Sequence, residues 1–181
     1  MTQRLLDHGF VNVEAVDVSS EGWSVPASSL RIVDLNSTNW ISKLSTPVDA
    51  ILAVEIIEHL ENPTAFLKQC AAALESNGHI FITTPNLVSI ATTVYSARVS
   101  EHLYFQREAF YSTGHRSPIL LATLLGIAEE AGFDVSEIAT CGHMRGLTML
   151  ERGVIAMASR LRNRRARNLD GPILYAHFKR R

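Results

Sequence analysis

Glu55, Glu58 and His59 lie close together in Glu55-Ile56-Ile57-Glu58-His59-Leu60-Glu61-Asn62-Pro63. Spaced i, i+3 and i+4, they share one face if the segment turns helical, so that two carboxylates and an imidazole converge. Hard carboxylate oxygens suit a divalent cation such as Mg2+. The competing reading makes His59 a hydrogen-bonding wall of a ligand pocket that holds no metal. His115, within Ser112-Thr113-Gly114-His115-Arg116-Ser117-Pro118, is a candidate further ligand or a general base on a hydroxyl. An imidazole with an ordinary pKa near ~6.5 exchanges protons at neutral pH. A capping role at the core edge is its alternative. Asp17 and Asp34 each end a short apolar run, where a strand-end acid can meet a ligand or simply stand in solvent.

The elements that must position these groups centre on Val48 to Asn86. Val48 to Val54 is an apolar run of strand length. A helix from about Pro63 to Leu74 carries Phe66, Leu67, Cys70 and Leu74 at helical spacing, Asn77-Gly78 stops it, and His79 to Thr84 forms another strand. This is a strand, crossover helix, strand unit, and its nearly continuous apolar strands call for a parallel sheet with helices on both faces. Loops at the carboxyl ends of parallel strands form the ligand crevice, so in the loop that begins Thr84-Pro85-Asn86, Asn86 and the segment after it are expected to face a substrate.

Upstream, Thr2 to His8 reads as a helix stopped by Gly9, Val11 to Asp17 as a strand, Ser19 to Ser29 as a loop and Leu30 to Leu35 as a third strand. Downstream come a helix over Leu87 to Ser100, an aromatic lid from Tyr104, Phe105, Phe110 and Tyr111, and a helix over Ile119 to Ala131. Asp134 to Thr140 and Pro172 to Phe178 form an antiparallel edge pair. Between them Met149 to Arg167 reads as a basic amphipathic helix, apolar at Leu150, Val154, Ile155, Met157 and Leu161, basic at Arg160, Arg162, Arg164, Arg165 and Arg167.

The chain has 181 residues and 46% hydrophobic content, enough for one domain with a real core, which excludes a disordered or repeat protein. Cys70 and Cys141 are too few for a disulfide framework or zinc site and read as reduced core thiols, which favours the cytoplasm. No signal pattern opens the chain, and no apolar run approaches the roughly 18 to 20 residues that cross a bilayer. The net charge of −1 hides a polarity. Residues 1–150 carry 8 Lys+Arg against 16 Asp+Glu, net −8, and residues 151–181 carry 9 against 2, net +7.

The run VDAILAVEIIEHLENP, a helix, and then SNGHIFITTPN resembles the fourth and fifth strands of class I S-adenosylmethionine-dependent methyltransferases. It is most similar to the ubiquinone-biosynthesis and small-molecule O-methyltransferase branch, and the resemblance extends loosely over almost the whole chain. It implies an α/β, Rossmann-like, mostly parallel sheet with helices on both faces and an antiparallel C-terminal strand pair. It implies S-adenosylmethionine as cofactor, with its ribose on Asp17 beside Val18, its adenine amino group at Asp34 beside Leu35, and Val54, Glu55 and His59 along the pocket. Trp40 then lies beneath the adenine or in the core. The pattern Glu55-x-x-Glu58-His59 resembles the metal site of ubiquinone O-methyltransferases and small-RNA 2'-O-methyltransferases. The implied reaction is methyl transfer to a hydroxyl of a small-molecule or lipid-linked acceptor, with His59 and His115 as catalytic candidates.

One element of the family is missing: its first strand and G-x-G-x-G loop belong upstream of Arg4. Residues 1–181 are therefore expected to form a single partial domain, with the helix at about 149–168 as an insertion. Neighbours of the absent strand must pair directly, borrow a strand from another chain in a homo-oligomer, or leave open edges. The alternative function is a catalytically impaired binding or scaffolding module. For the basic helix three readings stand: a solvated surface helix, a peripheral contact with anionic lipid, or a nucleic-acid contact. The lack of interleaved aromatics puts lipid ahead of nucleic acid.

Overall fold

The structure, a computed structural model, describes residues 1–26, 29–142, 148–161 and 169–181. Helix α1 (Thr2–Asp7) leads into two short strands, β1 (Ala15–Asp17) and β2 (Leu30–Ile32), which pair in parallel. A 3-10 turn over Trp40–Lys43 precedes β3 (Val48–Val54), α2 (Pro63–Ala73) and β4 (Leu74–Pro85). Then follow α3 (Ile90–Val99), α4 (Arg107–Ser112), α5 (Leu121–Glu130), β5 (Phe133–Cys141), α6 (Met149–Leu161) and β6 (Ile173–Arg180). β3 runs parallel to β4, and β4, β6 and β5 pair antiparallel, giving the order β3-β4-β6-β5.

The crossover unit forms where the apolar runs place it. Asn62 caps α2 by accepting the Ala65 N–H at 2.9 Å, and Pro63 occupies the first turn, where its missing N–H costs nothing. Phe66, Leu67, Cys70 and Ala71 then turn one face inward, joined by Leu124 and Ala128 of α5. Alternation does the same for the strands: Ile80 and Ile82 of β4 and Leu174, Ala176 and Phe178 of β6 are buried in this cluster. Their neighbours His79, Phe81, Tyr175 and His177 point the other way and are half-buried. There His79 Nδ1 lies 2.9 Å from His177 Nε2, and Phe81 stacks on His177 at 4.4 Å.

Several boundaries differ from those the sequence predicts. α2 yields to β4 directly at Leu74, whose backbone is already extended at φ −79° and ψ 151°, and the strand continues through Asn77 with its left-handed φ of 66°. Gly78 is required there, since a Cβ would stand 2.9 Å from the Glu75 carbonyl oxygen. The chain before helix α5 is extended through Leu120, so the helix starts at Leu121 and not at Ile119, and α4 forms where only aromatics were read. Cys141 is exposed at the end of β5, not a core thiol, while Cys70 is buried as expected. Trp40 is core, 3% exposed and stacked on Phe66 at 5.7 Å. β1–β2 and the four-stranded sheet are separate, so among the described residues β1 and β3 do not pair directly. Arg162, Arg164, Arg165 and Arg167 of the basic segment lie outside the described residues.

Candidate functional site

Glu55 follows β3 with φ 52°, a left-handed conformation that costs a non-glycine residue roughly 1 to 3 kcal/mol. Its N–H donates to both the carbonyl and the hydroxyl of Thr83, at 3.1 Å each, which fixes the turn. One 3-10 turn, Ile57–His59, comes next. Glu55 therefore stands at a sharp backbone corner and shares no helix face with Glu58 and His59; its ligand atoms are not among those that gather with theirs, and its buried Oε1 has no hydrogen-bond partner.

Glu58 is 0% exposed. Thr84 donates its hydroxyl to Glu58 Oε2 at 3.0 Å, while Oε1 stays unpartnered and lies 4.0 Å from His59 Nε2. Burial, with help from the neighbouring Glu55 charge, lifts the Glu58 carboxyl to about 7. Burial and the adjacent His115 push His59 below its ordinary value, against the carbonyls of Gly114 and Thr113, which favour its charged form.

His115 joins from 56 residues along the chain because the Glu58 carbonyl accepts the N–H groups of both Arg116 and Ser117 at 2.9 Å. Ser117 also donates its hydroxyl to the Leu60 carbonyl. The His115 ring sits edge-on to His59 at 4.8 Å. Its Nδ1 donates to the Tyr104 carbonyl at 2.6 Å, which leaves the Nε2 lone pair free. Ligand atoms of Glu58, His59 and His115 all lie within 4.8 Å of one another. A small side-chain adjustment would bring them to the spacing of donors about 2.0 to 2.2 Å from one cation. The buried, unpartnered Glu58 Oε1 and the two imidazoles fit a divalent ion.

A cavity of about 360 Å³ opens beside His115, lined by Phe105, Phe110 and Tyr111 together with Arg107 and Arg116. Arg116 lies over the Phe110 ring at 5.6 Å and pairs with Glu61 at 2.9 Å. The aromatic residues expected as a lid are thus partly gathered here.

The other predicted residues stand apart from this cluster. Asp17 is exposed, its Oδ1 accepting the Ser19 N–H at 3.1 Å, and Val18 is 69% exposed. Asp34 is exposed and accepts the Asn36 N–H at 2.9 Å, and Leu35 packs on the core. One bridge links this region to the cluster: Asn36 Oδ1 accepts the Glu61 N–H at 2.8 Å. Val54 is half-buried at the end of β3, paired with Thr83. Asp17, Asp34 and Glu55 all follow or end parallel strands at their carboxyl side, the position that suits a nucleoside. Asn86 does not face a substrate. It is 3% exposed, donates to the carbonyls of Leu169 and Gly171 and accepts the Val88 N–H, tying β4 to the start of β6.

Sequence reasoning missed Thr84 and the Tyr104 carbonyl. Thr84 could have been found as an inward position of β4; the carbonyl left no sequence signal.

Residues 1–138 match the family model for a methyltransferase domain, and the chain belongs to that family. It is 53% identical over 38 residues to the ubiquinone biosynthesis O-methyltransferase of Parvibaculum lavamentivorans, covering 21% of this chain and 15% of that protein. A Mycolicibacterium smegmatis protein named "Probable S-adenosylmethionine-dependent methyltransferase" is 25% identical over 122 residues, 66% of this chain and 42% of that one. The chain thus spans less than half the length of these curated relatives. Among solved structures, an S-adenosylmethionine-dependent methyltransferase from Archaeoglobus fulgidus aligns with TM-score 0.63 at 19% identity, over 99% of this chain and 80% of that one. The fold is that of the class I, Rossmann-like methyltransferases.

Proposed function

We propose that this chain binds S-adenosylmethionine and supports methyl transfer to a hydroxyl oxygen of a small-molecule or lipid-linked acceptor, beside a divalent cation held by Glu58, His59 and His115 with Glu55 alongside. The observation that carries the reading is the buried, unpartnered Glu58 oxygen facing two imidazoles. S-adenosylmethionine supplies a methyl carbon on a sulfonium that leaves as a neutral thioether, so no covalent enzyme intermediate is needed. Asp17 and Asp34 hold the ribose and adenine edges, and Val18, Leu35 and Val54 line the approach. The cavity walled by Phe105, Phe110 and Tyr111 orients the acceptor in line, the main contribution a protein makes to such a transfer. His115 Nε2 faces the hydroxyl as proton acceptor or cation ligand.

A bound cation would lower the pKa of a coordinated hydroxyl and orient it. The donor set mixes carboxylate oxygen with imidazole nitrogen, which favours a first-row transition ion such as Mn2+ over Mg2+.

Calorimetric titration with S-adenosylhomocysteine, with and without Mg2+ or Mn2+, tests the reading alongside Asp17→Ala and Glu58→Gln. Saturable binding weakened in Asp17→Ala, with cation binding lost in Glu58→Gln, is the expected result. No heat at millimolar nucleoside overturns it in favour of a noncatalytic binding or scaffolding module.

A further inference from the structure

α6 is built to stand firmly while showing an apolar stripe to the outside. Its first turn is a capping box: Thr148 Oγ1 accepts the Glu151 N–H at 3.2 Å, and Glu151 Oε2 accepts the Thr148 N–H at 2.9 Å. Glu151 also pairs with Arg98 of α3 at 2.8 Å, which fastens the helix to the body. Leu150, Val154, Met157 and Leu161 follow one another by four, three and four residues, so they share one face. That face is uncovered, with Leu150 78%, Met157 65% and Leu161 86% exposed. The docked face is a different one, carrying the half-buried Glu151, Ile155 and Ser159. Arg152 and Arg160 are exposed outside the apolar stripe.

Charge says what covers the stripe. Of the nine Lys and Arg in residues 151–181, six lie between Arg152 and Arg167, whereas residues 1–150 are net −8. A second copy of the chain would bring two such basic segments together and is disfavoured by repulsion. Nucleic acid would meet the arginines but leave four large apolar side chains without purpose. A surface that is anionic and has an apolar layer beneath matches both features, and it repels the acidic body so that α6 faces it. At 13 residues α6 is about 20 Å long, so it lies along such a surface. Among the described residues no helix is long and apolar enough to cross a membrane.

We propose that α6 is a docking helix for anionic lipid bilayers, with Leu150, Val154, Met157 and Leu161 inserted at the headgroup boundary and the positive charge of residues 152–167 drawing the helix to lipid phosphates. The test is flotation of the full chain with vesicles of phosphatidylcholine alone and with about 30% phosphatidylglycerol. Binding at least about tenfold stronger to the anionic vesicles, and largely lost at about 0.5 M salt, is expected. A Leu150→Glu, Leu161→Glu variant should lose it by a similar factor with an unchanged circular dichroism spectrum and melting point, because both side chains are exposed. Equal binding to neutral vesicles, no binding to either, or an unaffected double variant overturns the proposal. So does a wild-type dimer by light scattering that this variant converts to monomer, which assigns the stripe to a second copy. Absence of vesicle binding with a salt-sensitive RNA shift that survives the double variant assigns the basic segment to nucleic acid.

Discussion

Asp17 and Asp34 end in solvent beside a two-stranded sheet and spend one oxygen each on a backbone N–H two residues ahead. Glu58, fully buried, has one oxygen on Thr84 and the other facing imidazoles with nothing to accept. Both regions supply acids at the carboxyl ends of strands, yet they differ in what ligand absence costs. The exposed pair is comfortable alone and can add only modest affinity. The buried cluster holds an acid whose charged form the fold leaves uncompensated, so a cation there would restore what burial withholds.

The sharpest way to break this contrast is Glu58→Gln, which keeps shape and removes charge. Cation-dependent methyl transfer, assayed with a panel of hydroxylated acceptors, should fall by about 100-fold or more. His115→Ala should cost about 10 to 100-fold in cation affinity, read by titration with Mn2+. Asp17→Ala should weaken S-adenosylhomocysteine by about tenfold, near 1.4 kcal/mol, and Asp34→Ala by about threefold or less, both by calorimetry. If Asp34→Ala exceeded Glu58→Gln in its effect on turnover, the division of labour would be reversed.

The smallest effect is on stability and has a definite sign. Glu58 titrates at about 7 in the folded chain, above its ordinary 4.5, so its contribution is complete below the ordinary value and is lost as pH rises through about 7. His59, lowered on folding, acts oppositely: its contribution is present above the ordinary 6.5 and is lost as pH falls through the lowered value. Without added metal, Glu58→Gln should therefore melt about 2 to 4 °C above the wild type at pH 8 and lose that advantage near pH 5. A melting curve at each pH decides it.

The crossover unit was legible because local signals agree there: two apolar runs, an Asn-Pro helix start and inward residues at helical spacing. Glu58 and His59 were legible as a short motif. What the sequence could not display was how His115 arrives, since two backbone N–H groups meeting the Glu58 carbonyl depend on tertiary geometry. Nor could it show that Glu55 turns a left-handed corner, or that Asn86 spends its amide on holding β6. α4, only six residues, carried too little periodicity to be read, and its aromatics were assigned to a lid without a backbone.

The two cysteines give the molecule an uneven chemical address. Burial in α2 pushes the Cys70 thiol far above its ordinary value, so the folded chain withholds that thiolate, while Cys141 stands in solvent at the end of β5. A thiol-reactive dye should therefore mark the native chain once, next to the segment that leads into α6, and would report α6 meeting a vesicle as a colour change. The second equivalent of reagent would be consumed only when the core opens, so the rate of that slow uptake clocks unfolding without denaturant.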